Sequence, residues 1–344
     1  MTDRIRTRAI VLIGAGLALI AAVVWWVATT PSDSFVLLPE RDPLVADKVV
    51  RVAGEQKRAA DDDGGILYLA VVFHRASLAE TWLADFERGA TVLPAHAVLP
   101  AGGNEEDERR INRLEIDQSK QVAAAIALRA LGKKVEIEQD GVRVDEVEKD
   151  SPARRAGMRP GMVVKQVAGT RTATLRQLRA ALAGKGPGDT VTVTVRDAGR
   201  TRELRVSLIG RPDEPKRGYL GVLARPLLRV GKLPVKVTIP TGGLGGPSAG
   251  LAFALEIYDS LDKRELTRGR RVAVTGTIEP DGTVGEIGGV KQKAIGAQAA
   301  GADLMLVPDG NAAEARENAD DMPVVAVSTF AEALAAIRRL PRAA

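Results

Sequence analysis

The sequence predicts an α/β multidomain chain. An apolar N-terminal helix comes first, then a mixed α/β segment, a small strand-rich domain with two helices, and a compact C-terminal domain in which strands and helices alternate. Three observations carry this expectation. A single long uncharged run lies near the N-terminus. Short alternating segments replace a helical pattern at about residue 135. A charged, proline-containing stretch at 211–217 then precedes a regular exchange of strand and helix patterns. The chain has 344 residues, of which 45% are hydrophobic, so it can build two or three real cores.

The uncharged run, residues 9–28, reads "AIVLIGAGLALIAAVVWWVA". As a helix it is long enough to cross a bilayer, so a transmembrane anchor is expected there. Arg4, Arg6 and Arg8 precede it, which places residues 1–8 in the cytoplasm. Trp25 and Trp26 stand at the far end, where interfacial aromatics are common. The following "VATTPS" is a poor signal-peptide cleavage sequence, so a single-pass anchor is expected, with everything after Pro31 outside the cytoplasm.

Residues 31–134 form the mixed α/β segment. The run 65–73, "GILYLAVVF", predicts a buried strand. A helix with Leu78, Trp82, Leu83 and Phe86 on one face follows it, and 100–104 is a loop after the acidic "DDDGG" turn further upstream. From 105 to 131 the pattern is helical and stops at Gly132, a suitable C-cap. Residues 135–210 then hold short strands such as "VRVDEV", "MVVKQVAG" and "TVTVTVRD", with "TLRQLRAAL" as an amphipathic helix. Residues 211–217 read as a linker, with a final domain over 218–344.

Composition removes several function classes. Without cysteine there is no disulfide, thiol nucleophile or thiolate metal site. The two histidines, His74 and His96, lie in no HExxH-like spacing and no partner carboxylate or serine is near them in sequence, so they read as structural or surface residues and no metal or cofactor is expected. Aromatics make up only 3%, and the net charge of +5 comes from scattered arginines, so nucleic acid is not an expected partner. The expected partners are protein or peptide substrates and, through the N-terminal helix, a membrane; a homo-oligomer is left open.

The chemistry concentrates around "TGGLGGPSAGLAFALE", residues 241–256. Ser248 there has two readings: a helix cap, or a nucleophile at a tight loop-to-helix corner. The glycines allow close approach of a substrate chain, and a helix beginning near Pro247 would aim free N–H groups at the same corner. A serine nucleophile needs a base. Neutral lysine is one solution, and burial or a helix N-terminus lowers a lysine pKa. "EIGGVKQKAIGAQ" offers Lys291 and Lys293, with Gly288 and Gly289 just before the first.

Two resemblances follow from these residues. "SPARRAGMRPGMVVKQVAG", with its order of short strands and helices over 135–210, resembles a bacterial PDZ domain; Met162 stands where such domains often carry aspartate after a Pro-Gly turn. "GYLGV", 218–222, looks like a PDZ carboxylate-binding loop but is read as the first strand of the next domain. "GGPSAGLAFALEI" and "VAVTGTIEPDGTVGEIGGVKQKAIGA" resemble the α+β proteolytic domain of Lon proteases. That resemblance implies Ser248 as nucleophile and Lys291, 43 residues later, as its general base, with Thr275 orienting Lys291 and Lys293 in a surface or supporting role. Two departures stand out. Leu244-Gly245 replaces a Lys-Asp pair common in the family, and no G-x-x-x-x-G-K-[ST] motif exists; "AGKGPGD" at 183–189 lacks the hydroxyl residue after its lysine. The whole arrangement resembles membrane-anchored bacterial PDZ–Lon serine proteases. It implies an ATP-independent Ser–Lys endopeptidase acting on extracytoplasmic or membrane-proximal proteins. The alternative is a membrane-anchored PDZ adaptor with an inactive protease-like domain.

Overall fold

The computed structural model describes residues 2–42, 45–54, 64–99, 105–210, 214–240, 242 and 245–342, with side chains from Ile13 onward except at Asp107. The loop 100–104, the aspartates 61–63, the first half of the stretch 211–217, and Leu244 lie outside the described residues.

The chain divides into two units, one formed by residues up to 39 together with 71–98, the other by 40–70 and 99 onward. In the first unit the apolar helix Thr2–Thr29 leads into the strand Pro31–Pro39. This strand is the centre of a three-stranded antiparallel sheet, between Val71–Ser77 and Thr91–Pro94. The expected transmembrane anchor at 9–28 has to be corrected. Among the described residues no helix is long and apolar enough to cross a membrane.

The run expected as one strand at 65–73 is two strands in different units. Gly65–Tyr68 is buried in the second unit, and Val71–Ser77 is half-exposed in the first. The next helix, Leu78–Leu83, is closed by a capping box between Ser77 and Glu80. Its expected apolar face is turned to solvent: Trp82, Leu83 and Phe86 are all exposed. His74 does find a carboxylate, since its Nε2 lies 2.8 Å from Glu80 Oε1. That carboxylate is already the cap of the helix, so the pair is a structural one.

The second unit contains two sheets with separate cores. Four strands, in the order Val324–Val327, Leu304–Pro308, Arg271–Val274 and Gly65–Tyr68, are parallel throughout. Side chains alternate across this sheet. Ile66, Tyr68, Val272, Val274 and Leu306 meet the helices Glu105–Ala130, Gly250–Leu261 and Phe330–Arg338 on one face. Leu67, Ala273, Met305 and Val307 meet Val290–Ala299 and Ala312–Asn318 on the other. Burial on both faces explains why these strands read as continuous apolar runs. The expected α+β domain at 218–344 is therefore incomplete by itself: an edge strand from before residue 70 and the long helix Glu105–Ala130 complete its core. Helix Gly250–Leu261 packs along that long helix, where Ala123, Ala124 and Ala127 are buried and let the two backbones approach.

The other sheet is antiparallel, in the order Arg200–Ser207, Thr190–Asp197, Val163–Val167, Ile137–Val147 and Val222–Val230. Its core of Val142, Val144, Met158, Met162, Val193 and neighbours is distinct from that of the parallel sheet. Met162, expected to shape a turn, is fully buried in this core. The strand Val222–Val230 belongs to this sheet, paired from Val222↔Val147 to Val230↔Ile137. The boundary expected at 210 therefore moves to about 230. Residues 214–217 form a turn between the paired strands Ile209–Gly210 and Gly218–Tyr219, so the expected linker is part of a hairpin within this domain. Val222–Val230 is an edge strand, which is where Pro226 costs no ladder bond. The strand-rich domain is thus an insertion between two parts of the parallel-sheet core.

Candidate active site

The turn before helix Gly250–Leu261 is held from both sides. Gly246 has φ +78°, a left-handed conformation that favours glycine, and turns the chain towards Ser248. Gly250 N–H donates to Pro247 O at 3.0 Å, which closes the turn. Ser248 O accepts from Gly276 N–H at 2.8 Å and from Thr275 Oγ1 at 3.2 Å. These bonds tie the Ser248 corner to the end of the strand Arg271–Val274. Ser248 itself is half-buried.

The lysine that meets Ser248 is Lys293. Its Nζ lies 2.8 Å from Ser248 Oγ and 3.1 Å from Thr275 Oγ1. Lys291, expected from resemblance to be the partner of Ser248, is not brought to it. The reason is helix geometry. Both residues lie on Val290–Ala299, and a step of two residues turns a helix by about 200°. Val290, Ala294 and Ala297 are buried against the sheet. Lys293 shares their side of the helix and is buried, whereas Lys291 is only partly covered. The helix starts at Gly289, which has φ +69°, and Lys293 N–H makes one of its first bonds, to Gly289 O at 3.0 Å.

The electrostatics of the pair follow from burial. Lys293 is 2% exposed, and loss of water disfavours the ammonium, so its pKa falls from 10.5 to about 7. Position in the first turn of a helix acts in the same direction. When charged, the amine donates to Ser248 Oγ; when neutral, its lone pair can accept the serine proton. Thr275 is fully buried, and its one hydroxyl accepts from Lys293 and donates to Ser248 O. The expected role of Thr275 as an orienting group therefore applies to Lys293.

The family resemblance points to the first lysine of the motif, Lys291, and leaves Lys293 in a supporting role. The signal that would have found it is the i, i+3, i+4, i+7 spacing of Val290, Lys293, Ala294 and Ala297.

Comparison with known families agrees with the two cores. Residues 129–208 match the PDZ domain family, and residues 229–337 match the Lon protease (S16) C-terminal proteolytic domain. Among curated proteins, Lon protease 1 of Sorangium cellulosum is 34% identical over 134 residues, covering 36% of this chain and 16% of its own length. Lon protease 2 of Herpetosiphon aurantiacus is 37% identical over 112 residues, covering 31% of this chain and 14% of its own. Lon protease 2 of Bacillus subtilis is 35% identical over 101 residues, with 29% and 18% covered. The chain thus spans less than a fifth of the length of these relatives. It carries a PDZ domain and a Lon-type proteolytic domain.

Proposed function

We propose that this chain is a serine endopeptidase in which Ser248 is the nucleophile and Lys293 the general base. One observation carries the proposal: a buried amine with a pKa near 7 stands 2.8 Å from the hydroxyl of a half-buried serine. Proton transfer needs this range of distance and a base poised near the working pH. In the forward step, neutral Lys293 takes the Ser248 proton as Oγ attacks the scissile carbonyl carbon. The ammonium then returns a proton to the leaving amine. Water, deprotonated by the same lysine, releases the acyl group from Oγ in the second half.

The developing oxyanion needs N–H donors. Gly246 N–H is taken by Asn112 O, Gly250 N–H by Pro247 O, and Leu251 N–H by Gly276 O. Of the other N–H groups in this turn, those of Ser248 and Ala249 stand next to the nucleophile in the chain and are the donors we assign. The sequence holds no P-loop, so peptide hydrolysis by this chain draws on no ATPase of its own. Selectivity then falls to the PDZ domain, which docks an extended tail by strand addition; the edge strand Val222–Val230 is the place for it, except at Leu228, whose N–H is held by Gln118.

The test uses a quenched fluorogenic peptide library with the full chain. Cleavage should be lost in Ser248→Ala and in Lys293→Met, and a serine-reactive covalent probe should label the parent but not Ser248→Ala. Cleavage that survives Ser248→Ala would overturn the proposal.

A further inference from the structure

The long helix Glu105–Ala130 touches both the loop that carries Ser248 and the PDZ sheet, through residues on neighbouring turns. On the loop side, Asn112 O accepts from Gly246 N–H at 3.0 Å, and Ser119 Oγ donates to Pro247 O at 3.1 Å. The fit is close: a Cβ on Gly245 would stand 2.8 Å from Asn112 Cβ, and one on Gly250 would stand 2.6 Å from Ser119 Oγ. On the PDZ side, Glu115 Oε1 lies 3.3 Å from Arg143 Nη2 and 2.5 Å from Arg225 Nη2. Arg143 Nε donates to Asp145 Oδ1 at 2.7 Å, Arg225 Nε donates to the other oxygen of Asp145, and Leu228 N–H donates to Gln118 Oε1 at 3.2 Å. Glu115, Arg143 and Asp145 are all buried.

Glu115 and Ser119 are four residues apart, so they are neighbours on one helix face. The same stretch of helix therefore carries a buried ion-pair cluster with the PDZ sheet and the bond that fixes the residue before Ser248. Lys293 is held independently, on a helix that packs against the opposite face of the parallel sheet. The Ser248–Lys293 distance thus depends on how the long helix seats the loop. A misplacement of about 1 Å in such a geometry costs on the order of a hundredfold in rate.

We propose that Ser119 and Asn112 are positioning residues for the nucleophile, and that the PDZ domain governs their hold on the loop through the Glu115 cluster. The proposal rests on the reading of Ser248 as nucleophile. Arg225 lies on the edge strand of the PDZ sheet, so a segment that adds to this edge shifts a member of the cluster directly. Substrate docking and seating of the nucleophile are then one coupled event rather than two separate ones.

Two variants of the full chain test this, Ser119→Ala and Glu115→Gln, with melting temperature as the folding control. Each should lower kcat for a short fluorogenic peptide about tenfold, with KM within about twofold. The pH midpoint of activity should stay in place, because Lys293 keeps its surroundings. A second measurement does not depend on turnover. In an otherwise inactive Ser248→Ala chain, amides of 245–250 should exchange with deuterium about tenfold faster when either variant is added. Glu115→Gln keeps the size of its side chain and preserves the test if Ser119→Ala does not fold. Unchanged exchange in 245–250 in both variants would overturn the proposal, as would a rise spread evenly over the whole core. Faster local exchange in these variants, beside a parent chain with intact Ser248 that cleaves no peptide, would uphold the contact while removing the nucleophile reading.

Discussion

Replacing Lys293 by methionine removes the amine but keeps an unbranched side chain in the same buried space. The structure sets the size of the effect. A pKa lowered from 10.5 to about 7 corresponds, at about 1.4 kcal/mol per pH unit, to roughly 5 kcal/mol of preference for the neutral amine in the folded state. The unfolded chain holds this proton up to about 10.5, and the native chain only to about 7. Between those values the unfolded state binds more protons, so stability rises with pH across that window. From pH 7 to pH 9 the parent protein should gain roughly 2 kcal/mol from this residue, and Lys293→Met should gain nothing from it. At pH 7 the variant should therefore be the more stable protein, by a few kcal/mol less whatever the two lost hydrogen bonds contributed, on the order of 1 kcal/mol each. Urea unfolding followed by circular dichroism at pH 7, 8 and 9 measures both slopes. Parent activity on a short peptide should rise through a midpoint near pH 7 and then level off, while the variant is inactive throughout. Equal pH slopes in the two proteins would refute the reasoning, because the lysine would then be charged in the native state.

Three further outcomes are expected. Lys291→Ala should retain most of the parent cleavage rate, measured as kcat/KM, because no bond joins this residue to Ser248; a loss as complete as that of Lys293→Met would return the base role to Lys291. Thr275→Val keeps the volume but removes the hydroxyl that accepts from Lys293 Nζ, so kcat should fall about tenfold, as expected for one hydrogen bond of roughly 1–1.5 kcal/mol. Since that hydroxyl favours the ammonium, the pH midpoint should move downward, and a pH–rate profile checks the sign. Deleting 135–210 strips the strand Val222–Val230 of its partner Ile137–Val147, so the product should aggregate, visible by light scattering; a monomeric, well-folded product would contradict the placement of that strand in the PDZ sheet.

Much of the molecule is legible locally. The helix Glu105–Ala130, the alternating strands of the PDZ domain, the corner at Ser248 and the glycine-initiated helix Val290–Ala299 all follow from spacing and punctuation that act over a few residues. The apolar run at 9–28 shows where that legibility ends, since hydropathy alone led to a membrane-spanning helix, whereas no described helix is both long and apolar enough to cross a membrane. The exposed face of Trp82, Leu83 and Phe86 is a similar case: periodicity shows that these side chains share a face, and says nothing about whether anything covers it.

By itself the sequence determined the two modules, the serine corner and the presence of a lysine-bearing helix, because each rests on backbone geometry and side-chain chemistry encoded nearby. Only the tertiary structure decided that Gly65–Tyr68 is the edge strand of the proteolytic core, that Val222–Val230 closes the PDZ sheet, and that the PDZ domain interrupts the core rather than preceding it. A strand carries its alternation but not the identity of its partner, and a parallel neighbour can come from any distance along the chain. The choice between Lys291 and Lys293 lies between these cases. The helical spacing was present in Val290, Ala294 and Ala297, yet it acquires a meaning only when a sheet takes one side of that helix, buries Lys293 beside Ser248, and turns Lys291 away by about 200°.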